Sequence, residues 1–154
     1  MTTLSNIHYR TAADGDIPEL VQLRIKQLID EGYPETRDIR QELDEYFTNS
    51  LGNGSLICWI GLIEEEIIAT AGLCFYQLPC SFSNPSGKNA YITNMYTSDR
   101  YRQNGIASYL ITQLLAEAKA LGFPAVKLHA SEHGRGVYEK AGFVSADGYM
   151  ALKF

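Results

Sequence analysis

The sequence predicts an α/β (α+β) fold: a mixed, mostly antiparallel central sheet of six to seven strands flanked by about four helices, in the order β-α-α-β-β-β-α-β-α-β-β. Three observations predict it. A chain of 154 residues, 45% hydrophobic and 20% charged, is long enough for one domain with a sizeable core and too short for two, so residues 1–154 are expected to form a single domain. Short β-branched and aromatic runs alternate with stretches of helical periodicity. One of those stretches, Asn104 to Leu121, carries Ile106, Leu110, Ile111, Leu114, Leu115, Ala118 and Leu121 on one face, the pattern of a helix lying on a sheet.

The elements follow in order. Ile7 to Thr11 reads as a short strand leading to Asp14, a plausible cap for a helix built on Ile17, Leu20, Val21, Leu23, Ile25, Leu28 and Ile29. Gly32, Tyr33 and Pro34 break that helix. Ile39, Leu43, Tyr46 and Phe47 then recur at helical spacing until Gly52-Asn53-Gly54. Residues 55–62 and 67–77 read as an antiparallel hairpin around Glu64, Glu65 and Glu66. Pro79, Pro85 and Gly87 mark residues 78–89 as a loop, and Ala90 to Thr97 as the next strand. After the helix at 104–121, stopped by Gly122 and Pro124, come a strand at 125–130, a short helix at 134–141 closed by Gly142, and a final alternating strand at 149–154.

Composition excludes several functions. A net charge of −5 and a pI near 5.1 disfavour nucleic acid, which needs a basic face. No apolar run approaches the roughly 20 residues that span a bilayer, and the N-terminal stretch is polar, so a cytoplasmic protein with no membrane partner is expected. Cys58, Cys74 and Cys80 lack metal-ligand spacing and read as structural thiols. The three glutamates read as a solvated turn. His129 and His133 have no third ligand spaced to complete a metal site; no metal is expected.

The chemistry concentrates after the strand at 90–97. A polar turn, Ser98 to Tyr101, runs into Arg102-Gln103-Asn104-Gly105-Ile106-Ala107 and the strongest helix. Such a turn points the first amides of the helix outward, unpaired, at the positive end of its dipole, which suits an anion. Glycine at 105 and the small Ala107 leave the amides open to a phosphate, and Arg102 adds positive charge. No Gly-Lys-Ser/Thr follows and the Gly-x-Gly-x-x-Gly spacing is missing, so neither a P-loop nor a dinucleotide fingerprint is present.

Arg102, Gly105 and Ala107 match Arg/Gln-x-x-Gly-x-Gly/Ala, and the chain resembles the GNAT superfamily of acyl-coenzyme A-dependent N-acyltransferases, where that motif joins the fourth strand to the third helix. Val137-Tyr138-Glu139-Lys140-Ala141-Gly142-Phe143 is similar to the superfamily's Leu-Tyr-Glu-Lys-x-Gly-Phe segment at the matching distance downstream. The resemblance implies acetyl-CoA as cofactor. It implies that the amides of Gln103, Asn104, Gly105, Ile106, Ala107 and Ser108 bind the pyrophosphate, with Arg102 beside them. It also implies that main-chain groups of Met95, Tyr96 and Thr97 pair with the pantetheine arm, that an N–H near Met95 stabilises an oxyanion, and that Ser131 and Tyr138 contact the cofactor.

Tyr138 matches the tyrosine that protonates the leaving thiolate in many relatives; packing under the cofactor is its alternative role. Many relatives carry a glutamate on the fourth strand, whereas this chain has Thr93 about there. A water relay through Thr93 or Asn94, a carboxylate such as Glu42 or Glu45, or an amine arriving deprotonated remain open as routes for the proton. The acceptor is expected to be a primary amine of a small molecule. It would be gripped by acids and aromatics that include Asp30, Glu31, Tyr33, Tyr46, Phe47, Tyr76 and Tyr91. A homodimer is compatible with this reading. The rival reading is a non-catalytic acyl-CoA-binding or regulatory module.

Overall fold

A computed structural model describes residues 6–146 and 148–154. Its strands are β1 (Ile7–Thr11), β2 (Leu56–Ile63), β3 (Glu66–Gln77), β4 (Lys88–Thr97) and β5 (Val126–Leu128), and its helices α1 (Ile17–Asp30), α2 (Arg40–Gly52), α3 (Ile106–Ala120) and α4 (Arg135–Lys140). The strands form one sheet in the order β1-β2-β3-β4-β5. Every pairing is antiparallel except β4 with β5, whose connection carries α3 across the sheet.

The sheet therefore has five strands among the described residues, not six to seven. The difference is the expected closing strand at 149–154, which carries no strand geometry. Alternating apolar residues mark a segment suited to a sheet, but a strand exists only where a neighbour supplies the ladder. The start of α1 also differs. A short 3-10 turn occupies Asp14–Asp16 and α1 begins at Ile17. Asp16, not Asp14, holds the junction: its carboxylate accepts from the Ala13 amide at 2.7 Å and from the Arg10 guanidinium at 2.7 and 2.9 Å.

Helices cover both faces of the sheet. On one face Leu110, Leu114 and Ala118 of α3 pack with Ile68, Leu73 and Ile92. On the other Leu20 and Val21 of α1 and Phe47 of α2 pack with Leu56, Cys58 and Ile60. Each large apolar side chain so buried contributes about 1.5–3 kcal/mol. Phe47, fully buried, is core and not part of an acceptor lining. Cys58 is core as well, and burial pushes its thiol up to about 12, the state of an inert, protonated cysteine. Glu64 and Glu65 form the tight, exposed β2–β3 turn. Among the described residues no cluster of His, Cys, Asp or Glu could hold a metal ion, and no helix is long and apolar enough to cross a membrane.

Candidate active site

The turn between β4 and α3 is built from backbone. Gln103 (φ 61°) and Gly105 (φ 77°) both adopt left-handed geometry, which turns the chain sharply into the helix. Asn104 holds the bend: its amide donates to the Tyr101 and Arg102 carbonyls at 3.0 and 2.8 Å. The Tyr109 amide makes the first bond of the helix, to the Gly105 carbonyl at 3.0 Å. The amides of Ile106, Ala107 and Ser108 thus lack helical acceptors. A Cβ placed on Gly105 would meet nothing within 4 Å, so the space in front of those amides is open to a phosphate. Arg102 also braces the turn. Its Nε donates to the Thr97 carbonyl at 3.0 Å, and its guanidinium lies 2.8 Å from Asp99 and 3.7 Å from Asp30.

Beside this cradle β4 leaves its neighbours. Thr70 pairs with Tyr96 and Gly72 with Thr93, so Asn94 and Met95 together face the single residue Ala71, a β-bulge. Asn94 sits at φ 54° and is buried, and its carbonyl accepts from the Thr70 hydroxyl at 2.7 Å. On the other edge β5 pairs only with Ala90, Tyr91 and Ile92. From Thr93 to Thr97 that edge is a gap between two diverging strands. The carbonyls of Met95 and Thr97, two residues apart and so on one edge, are held by side chains instead: Gln27 donates to the first at 3.1 Å and Arg102 to the second. An extended amide-bearing ligand could enter here as an added strand, and its phosphates would reach the start of α3.

Tyr138 lies on α4. It is 9% exposed and packs edge-on against Phe143 with ring centroids 5.8 Å apart. Burial, reinforced by the nearby Glu31 carboxylate and Tyr91, pushes its phenol up to about 12, so it holds its proton at any physiological pH. Gly134 lets the ring approach: a Cβ there would come within 3.2 Å of Tyr138 and 3.1 Å of the Ser131 hydroxyl. Ser131 accepts from the Gly134 amide at 3.2 Å and shapes the turn into α4. Thr93 donates to the Asn94 side chain at 3.2 Å, so these two form one polar pair at the bulge.

Sequence reasoning missed Gln27 as a site residue. It is buried in α1, and its amide bridges the Met95 carbonyl and Glu31 at 3.0 Å. Its position on the apolar side of an amphipathic helix was the available signal. Glu31 is thereby tied through Gln27 to the β4 bulge, and its charge acts on Tyr138. Of the aromatics, Tyr91 and Tyr76 are neighbours on β4 and β3, with Cys74 directly across from Tyr91, and burial raises the Tyr91 phenol. Tyr46, on α2, packs against Phe47 at 5.5 Å. Tyr33 does not join them; it lines a separate cavity of about 100 Å³ with Leu28, Pro34 and Ile39.

A strand opened by a bulge beside an unblocked helix start defines an acyl-CoA-type transferase site. The acetyltransferase (GNAT) family model matches residues 21–143, and the chain belongs to that family. A predicted acetyltransferase from Clostridium acetobutylicum, crystallised with acetyl-CoA, is 43% identical, with 96% of each chain covered and a TM-score of 0.93. A GCN5-related N-acetyltransferase from Ralstonia eutropha JMP134 shares the fold at 24% identity, with 96% of this chain and 98% of that chain covered and a TM-score of 0.85. Glucosamine-6-phosphate N-acetyltransferase from Arabidopsis thaliana does so at 19% identity, with coverage of 96% and 98% and a TM-score of 0.73. No protein of curated function matches the sequence.

Proposed function

We propose that this acetyltransferase, working in the cytoplasm as a single domain, transfers an acetyl group from acetyl-CoA to a primary amine of a small molecule by direct attack in a ternary complex. The observation that carries the reading is the gap along β4 from Thr93 to Thr97, ending at the open amides of Ile106, Ala107 and Ser108. A pantetheine arm fits the gap and a pyrophosphate the amides.

When bound, acetyl-CoA supplies the thioester. The chain's own groups do the rest. A backbone amide at the Asn94–Met95 bulge donates to the carbonyl oxygen that gains charge. Tyr138, fully protonated, donates to the sulfur as it leaves. Glu31, oriented by Gln27, attracts the ammonium of the acceptor and takes its proton, and Tyr76 and Tyr91 line the acceptor end. Thr93 and Asn94 position water at the bulge. This assigns the base to α1 in a chain whose β4 carries no carboxylate between Lys88 and Thr97.

Calorimetry with acetyl-CoA tests the cofactor site. Gly105→Glu sets a carboxylate where the phosphates belong, at a backbone angle that penalises any side chain, and should weaken binding at least 100-fold, roughly 3 kcal/mol, while the protein stays folded. Unchanged binding would overturn the site. Thiol release with a panel of small amines tests the transfer; tight binding with no turnover on any amine would favour a binding module instead.

A further inference from the structure

Arg24 of α1 has no part in the chemistry described above. Of the lysines and arginines among the described residues, all are exposed except Arg10 and Arg24. Arg10 is paired with Asp16. Arg24 meets no carboxylate within ion-pair distance among the described residues, and it donates to the Gln27 side-chain oxygen at 3.1 Å. A guanidinium is charged at every physiological pH and carries five donors in a planar fork. A partly buried cation whose partner is a neutral amide is left uncompensated, and the fork fits a carboxylate.

The amide that holds Arg24 is the one that orients the acceptor end of the site. Gln27 donates to Glu31 at 3.0 Å and to the Met95 carbonyl at 3.1 Å. Arg24, Gln27 and Glu31 recur at helical spacing and share one side of α1. Bridged by that single amide, the Arg24 guanidinium nitrogen and Glu31 Oε1 are no more than about 9 Å apart. Burial and then Cys74 raise the Tyr46 phenol while the Arg24 charge pulls it down, so the guanidinium lies near that hydroxyl. Cys74 packs on the α1–α2 side of the sheet, directly across from Tyr91, which puts Arg24 over the same face as the acceptor aromatics.

We propose that Arg24 binds a carboxylate of the acceptor and that the acceptor is an α-amino acid. The inference rests on the assignment of the acceptor's ammonium to Glu31. A charge-assisted hydrogen bond of about 2.8 Å at each end leaves roughly 3 Å between ammonium nitrogen and carboxylate oxygen, the span of an α-amino acid. The transfer itself is unchanged: the amine nitrogen bonds to the acetyl carbon as the carbon–sulfur bond breaks. Of the two protons the nitrogen loses, one goes to Glu31 and the other balances the proton that Tyr138 gives to sulfur. The product is an N-acetyl amino acid.

The test measures thiol release at saturating acetyl-CoA with the common L-amino acids and with their amides, which keep the amine and lose the carboxylate. The best amino acid should exceed its amide in kcat/KM by roughly 30-fold, and Arg24→Gln should reduce that ratio to about threefold or less. Arg24→Lys, which keeps the charge without the fork, should fall between them. A ratio is insensitive to a general loss of activity in either variant. Amides used as well as acids by the natural chain, or a preference that survives Arg24→Gln, would overturn the assignment while leaving the acetyl transfer in place. Calorimetry of the same amino acids on the chain holding CoA reads the acid site without turnover. Carboxylate-dependent binding that Arg24→Gln abolishes, with no thiol release from any amine, would keep Arg24 as the acid site and overturn the transfer instead.

Discussion

The two ends of the proposed site are made of different material. At the α3 end the ligand-facing groups are backbone amides, fixed by left-handed turns at Gln103 and Gly105 and by the Asn104 side chain. At the acceptor end they are side chains from four distant elements: Glu31 closing α1, Tyr76 on β3, Tyr91 on β4 and Tyr138 on α4. A backbone site is preorganised by local turn chemistry and tolerates change around it. A side-chain site depends on the packing of every element that contributes to it, and its chemistry changes with single substitutions.

The largest expected effect in the acceptor half is at Tyr138. Tyr138→Phe keeps the ring on Phe143 and removes only the proton donor, so kcat should fall roughly 100-fold while acetyl-CoA affinity stays within threefold of the natural chain. Because burial holds the phenol at about 12, its proton is not lost below pH 10. The rate should therefore rise with pH as the amine deprotonates, with no falling limb from Tyr138 up to that point. A falling limb between pH 7 and 9 that disappears in Tyr138→Phe would keep Tyr138 as the proton donor and overturn the raised pKa. Equal losses in affinity and kcat would make Tyr138 a packing residue.

The contrast also explains what was legible in the sequence. The turn into α3 was readable because its determinants, Arg102 to Ala107, are contiguous and each answers a local demand. The helices and the hairpin were readable from apolar period, to within a few residues. The β4 bulge was not: it depends on Ala71 facing two residues of β4, a register that no single strand announces. The contacts of Arg102 with Asp30, Asp99 and the Thr97 carbonyl were not legible, because its charge was visible while those partners were not adjacent in pattern. Gln27 was hidden among core positions, and the closing strand at 149–154 was expected because alternation does not say whether a neighbour exists. Tyr33 was grouped with the other tyrosines by residue type, and only the fold separates it.

A smaller effect is expected at Gln27. Its amide bridges the Met95 carbonyl and Glu31, so Gln27→Ala frees the carboxylate from its orientation without touching the α3 cradle. A hydrogen bond to a charged group is worth about 1.5 kcal/mol, which is roughly tenfold. That loss should appear in kcat/KM for the amine, with acetyl-CoA binding nearly unchanged, and Glu31→Gln should show a loss at least as large on the same axis. Steady-state kinetics with each substrate varied in turn separates the two halves. A loss confined to acetyl-CoA would place Gln27 in the cofactor half.

The smallest effect concerns what anchors α1, and through it the acceptor half. Arg10 on β1 grips Asp16 in two-pronged fashion at the start of α1, and that bond, first among its causes, holds the Asp16 carboxyl below the usual carboxylate range. A folded-state pKa depressed in this way contributes stability that is fully present above the unfolded value of about 3.9 and is lost as pH falls through the folded value. Arg10 is 40% exposed on its side chain, so water and salt screen the pair. Asp16→Asn should therefore cost only about 1 kcal/mol at pH 7, read from urea unfolding. The natural and variant curves should converge once the pH drops well below 4. A variant that loses amine turnover at pH 7 while holding acetyl-CoA as before would show that the acceptor half depends on where α1 is pinned, whereas the cradle, built from its own turn, does not.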